Sequence, residues 1–205
     1  MLESLSRAQF HRRLLMGFAA VTAALVLLFV GSTWRLQYPN VFRLIQLIGL
    51  ALILVAIAGR TWCAAYIGGR KKVALVQDGP YAMVRHPLYS FSIIGAAGIG
   101  ALWGSSVVSL TLAVATALIL RGVTRQEEQF LSAKFGSNYT TYAKHVGRHV
   151  PRSFCWRNES IAPINHAIAV RTLMQSSLFL LGVPIAAVAQ WGQFAGLLPI
   201  LVMLP

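Results

Sequence analysis

Residues able to do acid–base or nucleophilic chemistry are few: five carboxylates, five histidines and two cysteines in 205 residues. Two stretches concentrate them. One reads Arg85-His86-Pro87-Leu88-Tyr89, the other Arg121-Gly122-Val123-Thr124-Arg125-Gln126-Glu127-Glu128. On a helix the two adjacent glutamates face different neighbours. Glu128 has Arg125 three residues back and Arg121 seven back, which reads as a surface ion pair. Glu127 has Val123, Thr124, Phe130 and Leu131 at its three- and four-residue spacings, with no base among them. A carboxylate on an apolar helix face is costly unless a cation or polar group meets it. That partner is either a lysine or arginine from elsewhere in the fold or a ligand, so Glu127 is the first residue to suspect of binding. His86 precedes Pro87, which suits the first turn of a helix because its missing N–H costs nothing there. His86 therefore sits at a helix mouth, as part of a capped helix start or as a ligand contact.

The elements that carry these residues belong to a membrane. Apolar residues make up 57% of the chain and charged ones 11%, with a mean hydropathy of +0.65. A chain of this size cannot hide that much apolar surface in one aqueous core, so lipid covers part of it. Leu14 to Trp34 carries no charge and is long enough to cross a hydrocarbon core of about 30 Å. It exceeds the h-region of a signal peptide, which favours a retained anchor. Leu44 to Gly59 is a second run, extendable to Tyr66 with Arg60 snorkelling to the interface. Leu88 to Leu120 is too long for one pass, and Trp103-Gly104-Ser105-Ser106 is its natural turn. Gly95, Gly98 and Gly100 imitate a nucleotide loop on paper, yet they lie within a span and read as close helix packing. Thr172 to about Gln190 makes a fifth span, and Gln190-Trp191-Gly192-Gln193 breaks it before a short tail. The expected fold is all-α: a polytopic bundle of about five spans plus a C-terminal membrane-associated segment. Cys63 and Cys155 suggest no disulfide framework, and no metal-ligand cluster stands out.

Charge placement fits that count. The formal net charge of +13 could signal nucleic acid or an anionic membrane face. With the N-terminus in the cytoplasm, five alternating spans put 16 of the 18 lysines and arginines on that side, leaving only Arg35 and Arg43 outside. The charge thus marks topology, with membrane lipids and no nucleic acid as partners. A compact, tail-poor chain of this kind suits a bacterial inner membrane.

A longer series of residues carries a resemblance. Gly79-Pro80-Tyr81, Arg85-His86-Pro87-Leu88-Tyr89, Glu127-Glu128, Phe135-Gly136, Tyr139, Tyr142 and Val150-Pro151-Arg152 stand in family order and spacing. The chain resembles the isoprenylcysteine carboxyl methyltransferases and the related phospholipid methyltransferases over about residues 44–152. Known members are integral-membrane enzymes that use S-adenosylmethionine, without a Rossmann domain or a metal. The resemblance implies that Val73, Ala74, Leu75 and Val76 line the cofactor largely through their backbone, and that Tyr81 touches it. It implies that His86, Pro87, Leu88 and Tyr89 close over it and that Glu127 holds it from the following helix. The prenylcysteine enzymes typically carry His where this chain has Val73, and a substrate-facing Arg where it has Val123. The chain is then one membrane domain over 1–205: a first span and loop at 1–43, a methyltransferase-like core at 44–152, and an extension at 153–205.

A sulfonium methyl is already activated, so transfer asks for in-line approach, desolvation and orientation. No catalytic acid or base is assigned. The acceptor is a lipid-soluble or small molecule presenting a carboxylate, thiol or amine at the cytoplasmic face. Two alternatives stand beside this. A membrane reductase similar to the sterol reductases would use Arg70-Lys71-Lys72 for the phosphates of NADPH. A membrane scaffold would use none of these residues.

Overall fold

The computed structural model describes residues 25–68, 70, 73–152 and 166–205. Residues 14–24 of the first apolar run, Lys71 and Lys72 of the basic cluster, and Cys155 lie outside them. The chain runs through β1 (Val30–Ser32), α1 (Trp34–Gln37), α2 (Pro39–Ile67), α3 (Pro80–Met83), α4 (Pro87–Leu102) and α5 (Ser106–His145). Then follow α6 (His166–Ser177), a 3₁₀ turn (Leu178–Leu181), α7 (Gly182–Phe194) and β2 (Val202–Leu204). The result is an all-α membrane bundle. Among the described residues three helical stretches are long and apolar enough to cross a bilayer: Pro39–Ile67, Ser106–His145 and His166–Phe194. Pro87–Leu102 is apolar but shorter.

Local chemistry sets the helix ends. α2 and α4 each open on a proline at the first helical positions. The expected turn between the third and fourth runs is present: α4 ends at Leu102 and Ser105 caps α5, its hydroxyl accepting from Val108 N at 3.2 Å. At 40 residues α5 would measure about 60 Å if straight, twice a hydrocarbon core. It bends at Gly136, whose φ of 54° lies in the left-handed region that side chains avoid.

Close backbone approach holds α2 to α4. A Cβ on Gly98 would lie 2.7 Å from the carbonyl oxygen of Gly49, and one on Gly49 would lie 2.8 Å from that of Gly98. Gly100 faces the α5 backbone at Ser109, and Gly95 faces Phe179 and Ala56. The glycines of α4 are packing positions, as their place in a span implied. Ile53, Ile57, Leu102, Trp103, Ala186 and Ala189 form the core beside them.

Two sequence expectations need correction. Leu14–Trp34 does not run as one helix to Trp34, because Val30–Ser32 is a strand paired in parallel with Val202–Leu204. The expected break at Gln190–Gln193 is absent: α7 continues to Phe194, and the backbone N–H groups of Leu197 and Leu198 then turn back onto Gly192 O. Arg60 turns toward α4, α6 and the 3₁₀ turn. Its Nε donates to Ser176 Oγ at 2.9 Å, Nη1 donates to Ser92 Oγ, and the guanidinium lies 5.8 Å from the Phe179 ring centre.

Candidate functional site

The start of α4 is where distant segments converge. Beyond the Gly136 bend, the last turns of α5 bring Tyr142 against α3, where its hydroxyl donates to Tyr81 O at 2.7 Å. The chain then pairs with the residues before α4. Val84 and Gly147 form a parallel bridge, Arg85 N donates to Gly147 O at 2.8 Å, and His86 N donates to Arg148 O at 3.1 Å. Ser90 Oγ donates to His149 O at 2.9 Å. Four side chains thereby reach Glu127 and Glu128 from outside their helix.

The two glutamates differ in environment, but not as their helical neighbours suggested. Glu128 is the more enclosed, with 12% of its side chain exposed against 29% for Glu127. Its partners are not Arg121 and Arg125 but Arg85, Arg148 and His86. Arg85 Nη1 lies 3.0 Å from Oε1, and Arg148 grips both oxygens through Nε and Nη2. His86 Nε2 lies 3.3 Å from the same Oε1. Helical spacing missed this because the bend at Gly136 returns Arg148 to the carboxylate from twenty residues away. Glu127 accepts a hydrogen bond from Tyr89 Oη at 3.0 Å, and its Oε2 lies 3.7 Å from His86 Nδ1.

His86 is the hinge of this arrangement. Only 6% of its side chain is exposed, and its ring stacks on Tyr89 with centres 5.8 Å apart and planes 24° apart. The His149 ring stands 6.0 Å away on another side. Burial pushes the His86 pKa down, against the upward pull of the two carboxylates. His149 is also pushed down, by burial first and then by Arg148. Arg148 is pushed up by its hydrogen bond to Glu128. Both ring nitrogens of His149 are buried without a hydrogen-bond partner, so this neutral imidazole presents an unmet donor and an unmet acceptor.

The remaining residues implied by the resemblance fall into three groups. His86, Pro87, Tyr89 and Glu127 come together at the helix mouth. Leu88 packs behind them with Val76 and Tyr81 around Cys63, while Leu75 packs on Tyr139, Tyr142 and Val146. Val73, 72% exposed, and Ala74 stand outside both clusters. Arg85, Glu128, Arg148 and His149 are site residues that sequence reasoning passed over. Arg85 lay within the quoted motif, and Arg148-His149 adjoins Val150-Pro151-Arg152, so adjacency was the available signal. Among the described residues no group of three or more His, Cys, Asp or Glu is arranged to hold a metal ion.

Known proteins share this arrangement of sequence. A family model for phospholipid methyltransferase matches residues 42–138, from the start of α2 through the Gly136 bend. The protein-S-isoprenylcysteine O-methyltransferase of Schizosaccharomyces pombe is 36% identical over 77 residues, 38% of this chain and 33% of that one. Two bacterial relatives match further. The nickel-cobalt-cadmium resistance protein NccN of Alcaligenes xylosoxydans xylosoxydans is 36% identical over 158 residues, covering 77% of this chain and 74% of the relative. The chain belongs to the phospholipid and isoprenylcysteine methyltransferase family. The cobalt-zinc-cadmium resistance protein CzcN of Cupriavidus metallidurans is also 36% identical, over 75% of this chain and 70% of its own length. No solved structure matches. Family membership supports a membrane methyltransferase, and the cluster of His86, Tyr89, Glu127 and Glu128 falls within the matched residues.

Proposed function

We propose that this protein transfers a methyl group from S-adenosylmethionine to a hydrophobic or small acceptor at the cytoplasmic face of a bacterial inner membrane. The observation that carries the reading is the Glu127 carboxylate, fixed by Tyr89 Oη at 3.0 Å where the apolar helices meet the charged segments. An ordered, partly exposed carboxylate, with the two partnerless nitrogens of His149 on the other side of His86, fits a zwitterionic, aromatic cofactor. The cofactor supplies the electrophilic methyl. Tyr89 and His86 hold Glu127 in one orientation. The exposed segment at Val73 and Ala74, whose N–H groups both donate to Arg70 O, offers carbonyl acceptors along one side, and Leu88 with Tyr81 and Val76 makes an apolar wall that excludes water. The Glu128–Arg85–Arg148 network keeps those groups registered, with the Glu128 charge already met by two guanidiniums. If the acceptor is a thiol or amine, His149 is the imidazole placed to take its proton; a carboxylate acceptor needs no base.

The cytoplasmic assignment follows the charge distribution of the whole sequence. The names of the two bacterial relatives bear on metal resistance as a setting, and leave the acceptor to the chemistry of the site. Calorimetric titration of the detergent-solubilised protein tests the reading. S-adenosylmethionine and S-adenosylhomocysteine are expected to saturate, and NADPH is not. Saturation by NADPH alone overturns it. Glu127→Gln removes a charge-assisted hydrogen bond worth about 1.5–3 kcal/mol, so cofactor affinity is expected to fall by about ten- to a hundredfold with the fold retained.

A further inference from the structure

After α5 ends at His145, residues 146–150 cross the mouth of α4 as a strap. Three consecutive carbonyls of the strap are taken by the chain they cover: Gly147 O by Arg85 N, Arg148 O by His86 N, and His149 O by Ser90 Oγ. The strap is wound tightly, since a Cβ on Gly147 would collide with Val150 O. Its side chains stand against their polarity. Val150 points outward and is 73% exposed, while both nitrogens of His149 are buried without a hydrogen-bond partner. An apolar group in water beside an imidazole kept out of it is the reverse of what solvation alone selects. The three carbonyl contacts hold the chain in that register.

The groups around His149 decide which charge it can carry. Arg148 faces it from the strap, and the approach to α4 supplies Arg85 and the His86 ring, 6.0 Å away. From α5 comes Glu128, already shared by both guanidiniums. Tyr139, further along α5, borders the same guanidiniums, while Glu127 and Tyr89 lie against His86. Lys144, His145 and Arg152 flank the strap in exposed positions. A proton on His149 would therefore set a third cation beside one carboxylate and add a second N–H with no acceptor. His86 differs, because each of its nitrogens faces a carboxylate. Burial, with Arg148 and Arg85, holds the His149 pKa down while the strap is closed.

We propose that residues 146–150 form a proton-sensitive strap, closed while His149 is neutral and released from α4 when His149 takes up a proton and turns to water. Release frees the carbonyls of Gly147, Arg148 and His149 and draws Arg148 away from Glu128. Linkage fixes the sign. The released imidazole titrates near the ordinary 6.5 and the enclosed one below it, so closure is favoured above that pH and loses ground as pH falls. From pH 7.5 to 5.5 the ratio of open to closed strap is expected to rise by about five- to tenfold. The mouth of α4 is thus complete at neutral pH and opened in acid. None of this depends on the methyltransferase reading.

Hydrogen–deuterium exchange tests it, on purified full-length protein in a neutral maltoside detergent, with no cofactor or acceptor present. The amides of Arg85 and His86 are the reporters, because the strap supplies their acceptors. Each rate is divided by the intrinsic rate at that pH, and the α2 amides of Ile53 to Ile57 report global unfolding. Corrected exchange at Arg85 and His86 is expected to rise about five- to tenfold from pH 7.5 to 5.5, with the α2 amides constant within about twofold. His149→Gln is expected to cancel the rise, His86→Gln to keep it, and His149→Lys to raise exchange at least about fivefold already at pH 7.5. The proposal is overturned if corrected exchange at the reporters does not change with pH, or if the α2 amides rise in step. It is equally overturned if His149→Gln keeps the rise or if His86→Gln alone cancels it. Should His149→Gln not fold, the wild-type ratio and His86→Gln decide the matter.

Discussion

The two ends of this bundle are held by different chemistry. At the mouth of α4 the polar contacts join charged side chains: Glu128 with Arg85 and Arg148, and His86 between the two glutamates. At the opposite end most run from neutral side chains to backbone carbonyls, with Arg35 Nη1 donating to Gln190 O at 3.1 Å as the charged exception. Gln46 and Gln190 both donate to Leu102 O, at 3.0 and 2.9 Å, and Gln193 donates to Leu28 O at 2.9 Å. Trp103 Nε1 donates to Leu27 O at 2.8 Å, and Ser32 Oγ to Gly104 O at 2.7 Å. A neutral amide satisfies a freed carbonyl in lipid without carrying a charge into it. Charged networks demand desolvation and are strained by any missing member. The neutral arrangement is a fastening; the charged one stands at the candidate site.

That contrast can be broken most severely at Glu128. Glu128→Ala leaves Arg85 and Arg148 facing each other over an empty position, and loss of one member of an enclosed ion network costs about 3 kcal/mol. Chemical unfolding in detergent is expected to show that loss, with cofactor affinity falling at least tenfold as His86 loses a partner. Glu127→Gln, by comparison, is expected to weaken binding without a comparable loss of stability.

A smaller effect is expected at the other end. Gln190→Ala removes a hydrogen bond to Leu102 O, which Gln46 still donates to, and the one that Gln190 Oε1 accepts from Gln46. Side-chain hydrogen bonds within membranes contribute about 0.6–1.7 kcal/mol, so the unfolding midpoint is expected to drop modestly. Cofactor affinity is expected to stay within about twofold of wild type, since a single hydrogen bond this far from the site adds nothing to binding. A large loss of affinity would show that the two ends are coupled rather than separate.

The smallest effect sharpens the contrast through pH. His86 and His149 both have pKa values held below the ordinary 6.5, mainly by burial. Their contribution to stability is fully present above that value and is lost as pH falls below it, because the unfolded chain takes up protons first. Thermal midpoints are expected to decline from pH 6.5 to 5.5 in wild type and in Gln190→Ala alike. His149→Gln is expected to flatten part of that decline. An equally steep decline in the histidine variant would assign the titration elsewhere.

What the sequence disclosed follows from how local each signal was. The turn at 103–105, the proline starts of α2 and α4, and the packing role of Gly95, Gly98 and Gly100 all depend on neighbours within a turn or two. Glu127 was legible as a carboxylate needing a partner, and the partner includes Tyr89, one of the residues quoted beside it. Glu128 was misread for the same reason. Its real partners reach it through a chain reversal, and nothing in helical periodicity reports that Gly136 bends α5. The β1–β2 pairing was invisible because neither three-residue segment reads as a strand alone. Each becomes one only against the other, across most of the chain.

That pairing also sets an order of events. The carbonyls of Leu28 and Val30 find Gln193 only 165 and 163 residues later in the chain. During synthesis the early segment enters the bilayer long before its amide partners exist. Loop closure over that separation comes late and slowly. Assembly therefore runs from the α2–α4 contact outward, and the seam formed by β1, β2 and the α7 glutamines is sewn last. Until then, the carbonyls of Leu28 and Val30 are without those amide donors.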